Sequence, residues 1–281
     1  MEYVINNIYR GCSHGCIYCF ARGQHYNSSD FTEIHIEKDG LSVIRDEFER
    51  IAKPIVVATG GLSDPYNPVE QDSQLTRSVL ELVNEFSFGI CILTKSDMVV
   101  RDIDILQKIK THSPVNVCLT ITCAEDELCR IVEPYAPTSS QRFAAIREIA
   151  RQGIPTGVLI DPMLPYITDT ESNIRTIVKK AKDAGAGYVY TSMGAIIEGE
   201  GREYFFKKTE QHFPGITDRY DRQFGSSNYC QSPNKEELCA AFAEECERHE
   251  LVYGIHTTDM ITKDGRVFAS ILLNLSQNSA L

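Results

Sequence analysis

The sequence predicts an α/β fold in which a parallel sheet is wrapped by helices, and two observations carry this expectation. Short β-branched runs recur at PIVVATG (54–60), GICILTK (89–95), VNVCLTIT (115–122), PTGVLIDP (155–162) and GYVYTSM (187–193). Between them the apolar residues return at the spacing of an amphipathic helix rather than of a strand. Strands that alternate with crossover helices run parallel.

The elements follow in chain order. YVINNIY (3–9) reads as a first strand, which brings the count to about six βα units. The helical segments are 41–52, 72–86, 102–110, 139–153 and 171–186. Asp72 or Ser73 is placed to cap the second, and Gly153 and Gly185 fit helix C-termini. About six units fall short of a closed eight-stranded barrel, so the residues leave a partial barrel or a doubly wound sheet. In both, chemistry belongs at the C-terminal ends of the strands.

From about residue 200 the alternation stops. Residues 201–215 read as an aromatic-rich helix, 216–234 as a polar loop and 235–251 as a further helix. The chain is therefore expected to hold one sheet domain over residues 1–200, with an extension over 201–281 that packs on it and is not an independent domain.

Bulk properties narrow the function classes. The net charge of −11 lacks the basic footprint of a surface that binds phosphate backbones, so nucleic acid is disfavoured as a partner. The basic run at 179–182 reads as the solvated face of a helix. No apolar stretch is long enough to span a bilayer and the N-terminus lacks a leader pattern, which implies no membrane partner and a cytoplasmic location. Ten cysteines in that setting point to metal binding or plain burial. Cys91 and Cys118, inside apolar runs, read as core residues.

The stretch RGCSHGCIYCF sets Cys12, Cys16 and Cys19 at C-x3-C-x2-C spacing, directly after the first strand. A structural zinc site fills four positions, and three thiols leave one vacant. Four cysteines complete a [4Fe–4S] site, so three leave one iron open to a small molecule. Gly11 and Gly15 let the loop turn tightly around a bulky group, over about residues 11–20. His14 reads as a solvent-facing loop residue, with a fourth metal ligand as the alternative.

This motif, with aromatic Tyr18 immediately before the last cysteine, is similar to the signature of the radical S-adenosylmethionine enzymes. The resemblance implies a partial (β/α)6 TIM-like barrel with a helical and irregular C-terminal extension. It also implies a [4Fe–4S] cluster on Cys12, Cys16 and Cys19, S-adenosyl-L-methionine at the open iron, and Tyr18 beside its adenine. The implied activity is reductive cleavage of that cofactor to a 5′-deoxyadenosyl radical, fed by an electron donor such as flavodoxin or ferredoxin. The expected substrate is a small molecule or peptide.

Further segments resemble the branch that includes spore photoproduct lyase and its uncharacterised relatives. Ser63–Asp64, Thr94–Lys95 and Thr120–Ile121–Thr122 match its strand-end motifs, which makes Ser63, Lys95 and Thr120 candidates to hold the methionine end of S-adenosylmethionine. A strand-end lysine suits a carboxylate. Asp64 either takes the ligand's amino group or makes a turn with Pro65. Glu133, in IVEPYAP, either bonds a ribose hydroxyl or orders its loop through a salt bridge. The lyase carries a hydrogen-donating cysteine two positions before its Ser-Asp pair, where this chain has Gly61. Lesion repair by the lyase route is therefore an alternative, as is a non-catalytic iron–sulfur redox module.

Other thiols are candidate hydrogen donors. Cys230, beside Tyr229 in a polar segment, reads as accessible, and the pair is a candidate catalytic relay. Cys239 and Cys246 share one helix face and read as core rather than as a second cluster site with Cys230. Cys123 and Cys129 flank an acidic turn. Tyr66 and Asp161 are expected at the barrel mouth.

Overall fold

A computed structural model describes residues 2–5, 8–22 and 31–256. In chain order these form β1 (Glu2–Ile5), β2 (Tyr9–Arg10), β3 (His35–Ile36), α1 (Gly40–Glu49), β4 (Val56–Thr59), α2 (Glu70–Ser73), α3 (Leu75–Glu85), β5 (Gly89–Thr94), α4 (Ile103–Lys110) and β6 (Val115–Thr120). There follow α5 (Asp126–Val132), α6 (Ser139–Arg151), β7 (Thr156–Ile160), α7 (Glu171–Ala184), β8 (Tyr188–Ser192), β9 (Gly194–Ile196), α8 (Gly199–Thr209), α9 (Ile216–Phe224), β10 (Tyr229–Gln231), α10 (Lys235–Arg248) and β11 (Val252–His256).

The principal sheet has the order β1-β4-β5-β6-β7-β8-β11, and its neighbours pair parallel. This is the partial barrel, with helices on its outer face. Outward side chains such as Val57, Ile90, Ile92, Val117 and Val158 join the helix stripes in one apolar core. Inward residues Ala58, Cys91, Cys118, Leu159, Tyr188 and Tyr190 form a separate cluster that fills the barrel. Two glycines make room for its rings. A Cβ on Gly157 would lie 2.3 Å from the Tyr188 ring, and one on Gly254 would lie 2.4 Å from Tyr190. With the floor filled, open space is left at the C-terminal ends of the strands.

Local signals explain most helix boundaries. Thr138 and Gln141 form a capping box at the start of α6, and Gly185 closes α7 in the left-handed region. The expected cap at Asp72 or Ser73 is corrected. Residues 70–73 are themselves a helical turn, the chain breaks at left-handed Gln74, and the Glu70 carboxylate accepts the N–H groups of Thr76 and Arg77. Glu70 thus serves α3 from outside it.

Three expectations change beyond that point. The run 3–9 is not one strand: β1 joins the sheet, whereas β2 pairs antiparallel with β3, and residues 6–7 lie outside the described residues. The polar stretch 216–234 contains helix α9 and strand β10, the latter paired antiparallel with β9. On α9, Tyr220 packs against both Phe205 and Phe224, one turn further on, which turns a polar-looking segment into an amphipathic helix. The extension also returns a seventh strand, β11, to the sheet beside β8. Residues 257–281 of the extension lie outside the described residues.

Candidate active site

One cleft opens at the mouth of the barrel, enclosing about 950 Å³ including the part open to solvent. Cys12, Cys16 and Cys19 line one side of it. Their loop is fixed by backbone chemistry. Gly11 has φ +84°, and a Cβ there would lie 2.1 Å from the Glu33 carbonyl oxygen. Cys12 N–H donates to the Phe31 carbonyl at 2.9 Å, and the Ser63 hydroxyl donates to the Gly11 carbonyl at 2.5 Å. The segment after α5 straps the other side. Ile17 N–H donates to Val132 O at 3.0 Å, Tyr135 N–H donates to His14 O at 3.1 Å, and the Tyr135 ring covers Gly15.

The three thiols suit a metal cluster better than free reactivity. Burial pushes Cys12 up to about 12, helped by the charges of Asp64 and Cys19. Burial likewise raises Cys16 and Cys19, although Lys95 pulls both back. Ionised thiolates here need positive charge brought in by a bound group. Among the described residues no three His, Cys, Asp or Glu side chains converge on a single-ion site. The thiols instead share one wall of a cleft, as ligands to separate irons of a cluster would.

Lys95, Ser63, Asp64, Thr120 and Tyr18 also line the cleft, so the structure brings together five of the expected cofactor contacts. The Lys95 ammonium lies 5.7 Å from the centre of the Tyr18 ring. Burial works against its charge, but Cys16, Glu133 and Asp64 outweigh that and raise it. Asp64 takes the turn role: its Oδ1 accepts Tyr66 N–H at 2.9 Å and the Thr94 hydroxyl at 2.5 Å. Its Oδ2 accepts Lys95 N–H at 2.8 Å. His14 is not solvent-facing but buried, with Nε2 3.2 Å from the same Oδ2. Burial alone would raise the Asp64 carboxyl. The facing His14 ring, Lys95 N–H and Thr94 hydroxyl hold it well below the usual carboxylate range.

Glu133 does not reach the cleft. It is buried and pairs with equally buried Arg142 at 2.5 Å, so the salt-bridge alternative is the one realised. It also accepts the Tyr18 hydroxyl and, at 3.1 Å, that of Thr122. Despite burial, Arg142, Lys95 and these donors hold its carboxyl at about 2. Arg142 in turn donates to the Thr120 carbonyl at 2.8 Å. Through this pair Tyr18 on the cluster loop and Thr120 at the end of β6 share one anchor.

Asp161, Pro162, Gly194, Ile196 and Tyr229 also line the cleft. Asp161 follows β7 and accepts the Ser192 hydroxyl. Burial pushes its carboxyl up to about 6, against the opposing pull of Ser192 and Lys95. Tyr229 projects from β10 over Gly194, where a Cβ would lie 2.8 Å from its hydroxyl. Its neighbour Cys230 corrects the expectation of an accessible thiol. Alternation along β10 turns it inward, it is fully buried, and burial pushes it up to about 11. Tyr66 is also buried, under Arg101, rather than at the mouth. Cys246 packs in the main core with Cys239 against it, and Cys123 and Cys129 are buried together behind the cluster loop.

The comparisons with known proteins agree with this geometry. The family model described as Radical SAM superfamily matches residues 6–181. The chain belongs to the radical SAM superfamily. Its relatives include an uncharacterised protein of Mycobacterium tuberculosis, 30% identical over 84% of this chain and 71% of that one. An uncharacterised protein of Methanocaldococcus jannaschii is 31% identical over 76% and 77%. Among solved structures, a spore photoproduct lyase variant with bound AdoMet and dinucleoside spore photoproduct aligns with TM-score 0.63 and 16% identity, covering 90% of this chain and 75% of that one. Streptococcus suis SuiB bound to precursor peptide SuiA aligns with TM-score 0.57 and 11% identity, over 91% and 48%. These two likenesses concern the fold. Membership makes this a radical SAM enzyme, a family that implies S-adenosylmethionine and an iron–sulfur cluster. Among the described residues no helix is long and apolar enough to cross a membrane.

Sequence reasoning missed Arg142 and Ser192 as parts of this site and did not foresee that His14 is buried against Asp64. Arg142 had a signal: a charged residue on the inward stripe of the amphipathic segment 139–153. His14 and Ser192 had none, because their partners lie far away in the chain.

Proposed function

We propose that the protein cleaves S-adenosylmethionine reductively at a [4Fe–4S] cluster held by Cys12, Cys16 and Cys19, and so abstracts hydrogen from a small-molecule or peptide substrate. The supporting observation is that these thiols share one wall of the barrel-mouth cleft with Lys95 and Tyr18. When bound, the cluster and S-adenosylmethionine supply the one-electron cleavage that yields a 5′-deoxyadenosyl radical.

The chain's own residues hold and shield these groups. Lys95 meets the carboxylate of the methionine moiety as a point charge, and the Thr120 hydroxyl completes its hydrogen bonds. The Tyr18 ring flanks the adenine, held in place by Glu133. Ser63 and Asp64 act as positioning residues, one fixing the Gly11 turn and the other the Lys95 backbone. The strap at 132–135 covers the loop and excludes water. Flavodoxin or ferredoxin is the expected class of electron donor. Gly61 and the net charge of −11 weigh against repair of a nucleic-acid lesion by the lyase route.

The test is spectroscopic. Anaerobically loaded protein is expected to bind about four irons and, once reduced, to give an electron paramagnetic resonance signal that S-adenosylmethionine perturbs. A reduced cluster whose signal does not respond to S-adenosylmethionine would favour the redox module instead.

A further inference from the structure

The barrel mouth carries a ring of strand-end residues: Lys95 after β5, Thr120 on β6, Asp161 after β7 and Ser192 on β8. Its two charged members differ sharply in surroundings. Lys95 stands on the cluster side, over the Tyr18 ring and near Cys16, Glu133 and Asp64. Asp161 stands at the end of β7, where the charge of Lys95 still reaches it without forming a salt bridge. Among the described residues it has no ion-pair partner, and one hydroxyl, that of Ser192, donates to its Oδ1.

That contrasts with four buried carboxylates of the molecule; another, Asp169, accepts a backbone N–H besides the Ser232 hydroxyl. Asp64 accepts from two backbone N–H groups and a hydroxyl. Glu70 is paired with Arg101, Asp102 with Arg77 and Arg101, and Glu133 with Arg142. A part-buried carboxyl lining a cleft with a single neutral donor is costly for the folded chain. Such a cost persists where a ligand supplies the missing partner. The surroundings specify that ligand further. Leu159, Pro162 and Ile196 line the same cleft, which suits an aliphatic stem. A charged donor bonds a carboxylate about twice as strongly as a neutral one.

We propose that Asp161 anchors the substrate by accepting hydrogen bonds from its primary ammonium group, with Ser192 as the positioning residue that orients the carboxylate. The proposal rests on the reading that the cluster and S-adenosylmethionine occupy the thiol side, which leaves the ends of β7 and β8 to the substrate. The substrate class is then an aliphatic primary amine, either a free small molecule or an amine-bearing side chain of a peptide.

The probe is n-butylammonium, with n-butyrate as the control of opposite charge, followed by ligand-observed nuclear magnetic resonance. Binding to the wild-type protein is expected, with about a tenfold or greater loss in Asp161→Asn. Ser192→Ala is expected to weaken binding less. Saturating S-adenosylmethionine, added to cluster-loaded protein, is expected to leave the amine bound. Equal binding by wild type and Asp161→Asn would overturn the proposal, and so would displacement of the amine by S-adenosylmethionine. A crystal of the wild-type protein soaked with n-butylammonium guards against a variant that fails to fold. The ammonium should lie within hydrogen-bond distance of the Asp161 carboxylate, and density elsewhere in the cleft would overturn the assignment. Amine binding by the cluster-free protein is read without cofactor chemistry, so its failure is separable from failure of S-adenosylmethionine cleavage.

Discussion

Tyr18 and Glu133 share a buried hydrogen bond, in which the phenol of the cluster loop donates to a carboxylate paired with Arg142. The arrangement ties the aromatic position of the cysteine motif to a charge pair in which both side chains are fully buried. Glu133→Gln keeps the shape and removes the charge, leaving Arg142 buried and uncompensated. A loss of about 3–5 kcal/mol in urea unfolding is expected. Because folding holds the Glu133 carboxyl at about 2, below its unfolded value of 4.5, its contribution is complete above roughly pH 4.5. It fades as pH falls toward 2, so the gap between wild type and Glu133→Gln should close over that window. A variant of unchanged stability that has lost S-adenosylmethionine binding would restore the ribose role.

Asp161 is expected to show the opposite sign. Its carboxyl sits at about 6, above the unfolded value of 3.8, so keeping it ionised costs the fold stability above pH 6. That cost disappears as pH falls from about 6 toward 4. The groups facing it are Lys95, Ser192 and Tyr190, and burial outweighs the two that favour its charge. Asp161→Asn should therefore be more stable than wild type at pH 8, by about 1–3 kcal/mol. The two should converge near pH 4. Thermal unfolding across pH checks this, and equal stability at pH 8 would contradict it.

Adjacent glycines at the end of β4 should respond differently to a side chain. Gly60 has φ +101°, and a Cβ there would lie 1.8 Å from the Leu93 carbonyl oxygen. Gly60→Ala is expected to cost at least about 2 kcal/mol. A Cβ on Gly61 meets nothing within 4 Å, so Gly61→Ala should stay within about 0.5 kcal/mol of wild type. Gly61→Cys should fold and add one thiol open to alkylation in the native protein.

Cys230 should prove structural. It is buried behind the β9–β10 ribbon, so Cys230→Ala should cost about 1 kcal/mol of stability and leave formation of 5′-deoxyadenosine unchanged. Loss of turnover in a fully folded Cys230→Ala protein would return this thiol to the chemistry.

Much of this was legible in the sequence. The strand–helix alternation reports burial on both sheet faces, a local property, and it located β4 to β8 and the helices between them. The cysteine spacing fixed one wall of the cleft because its ligands are neighbours in the chain. What escaped was set by distant partners. Glu133 was legible as a charged loop residue, but its burial depends on Arg142 from a later helix. Cys230 was misread because the polar residues around it point out of a short strand while its own side chain points in. Strand β11 was missed because VYGIH carries a glycine that would weaken most strands and here accommodates the Tyr190 ring.

The central claim is that Cys12, Cys16 and Cys19 hold a cluster beside a bound S-adenosylmethionine. The most direct measurement is anaerobic incubation of the iron-loaded, reduced protein with S-adenosylmethionine, quantifying 5′-deoxyadenosine and methionine. Both are expected in equal amounts from the wild type, and neither from Cys12→Ala, Cys16→Ala or Cys19→Ala. Absence of both products from a wild-type protein with a fully reduced cluster would contradict the account.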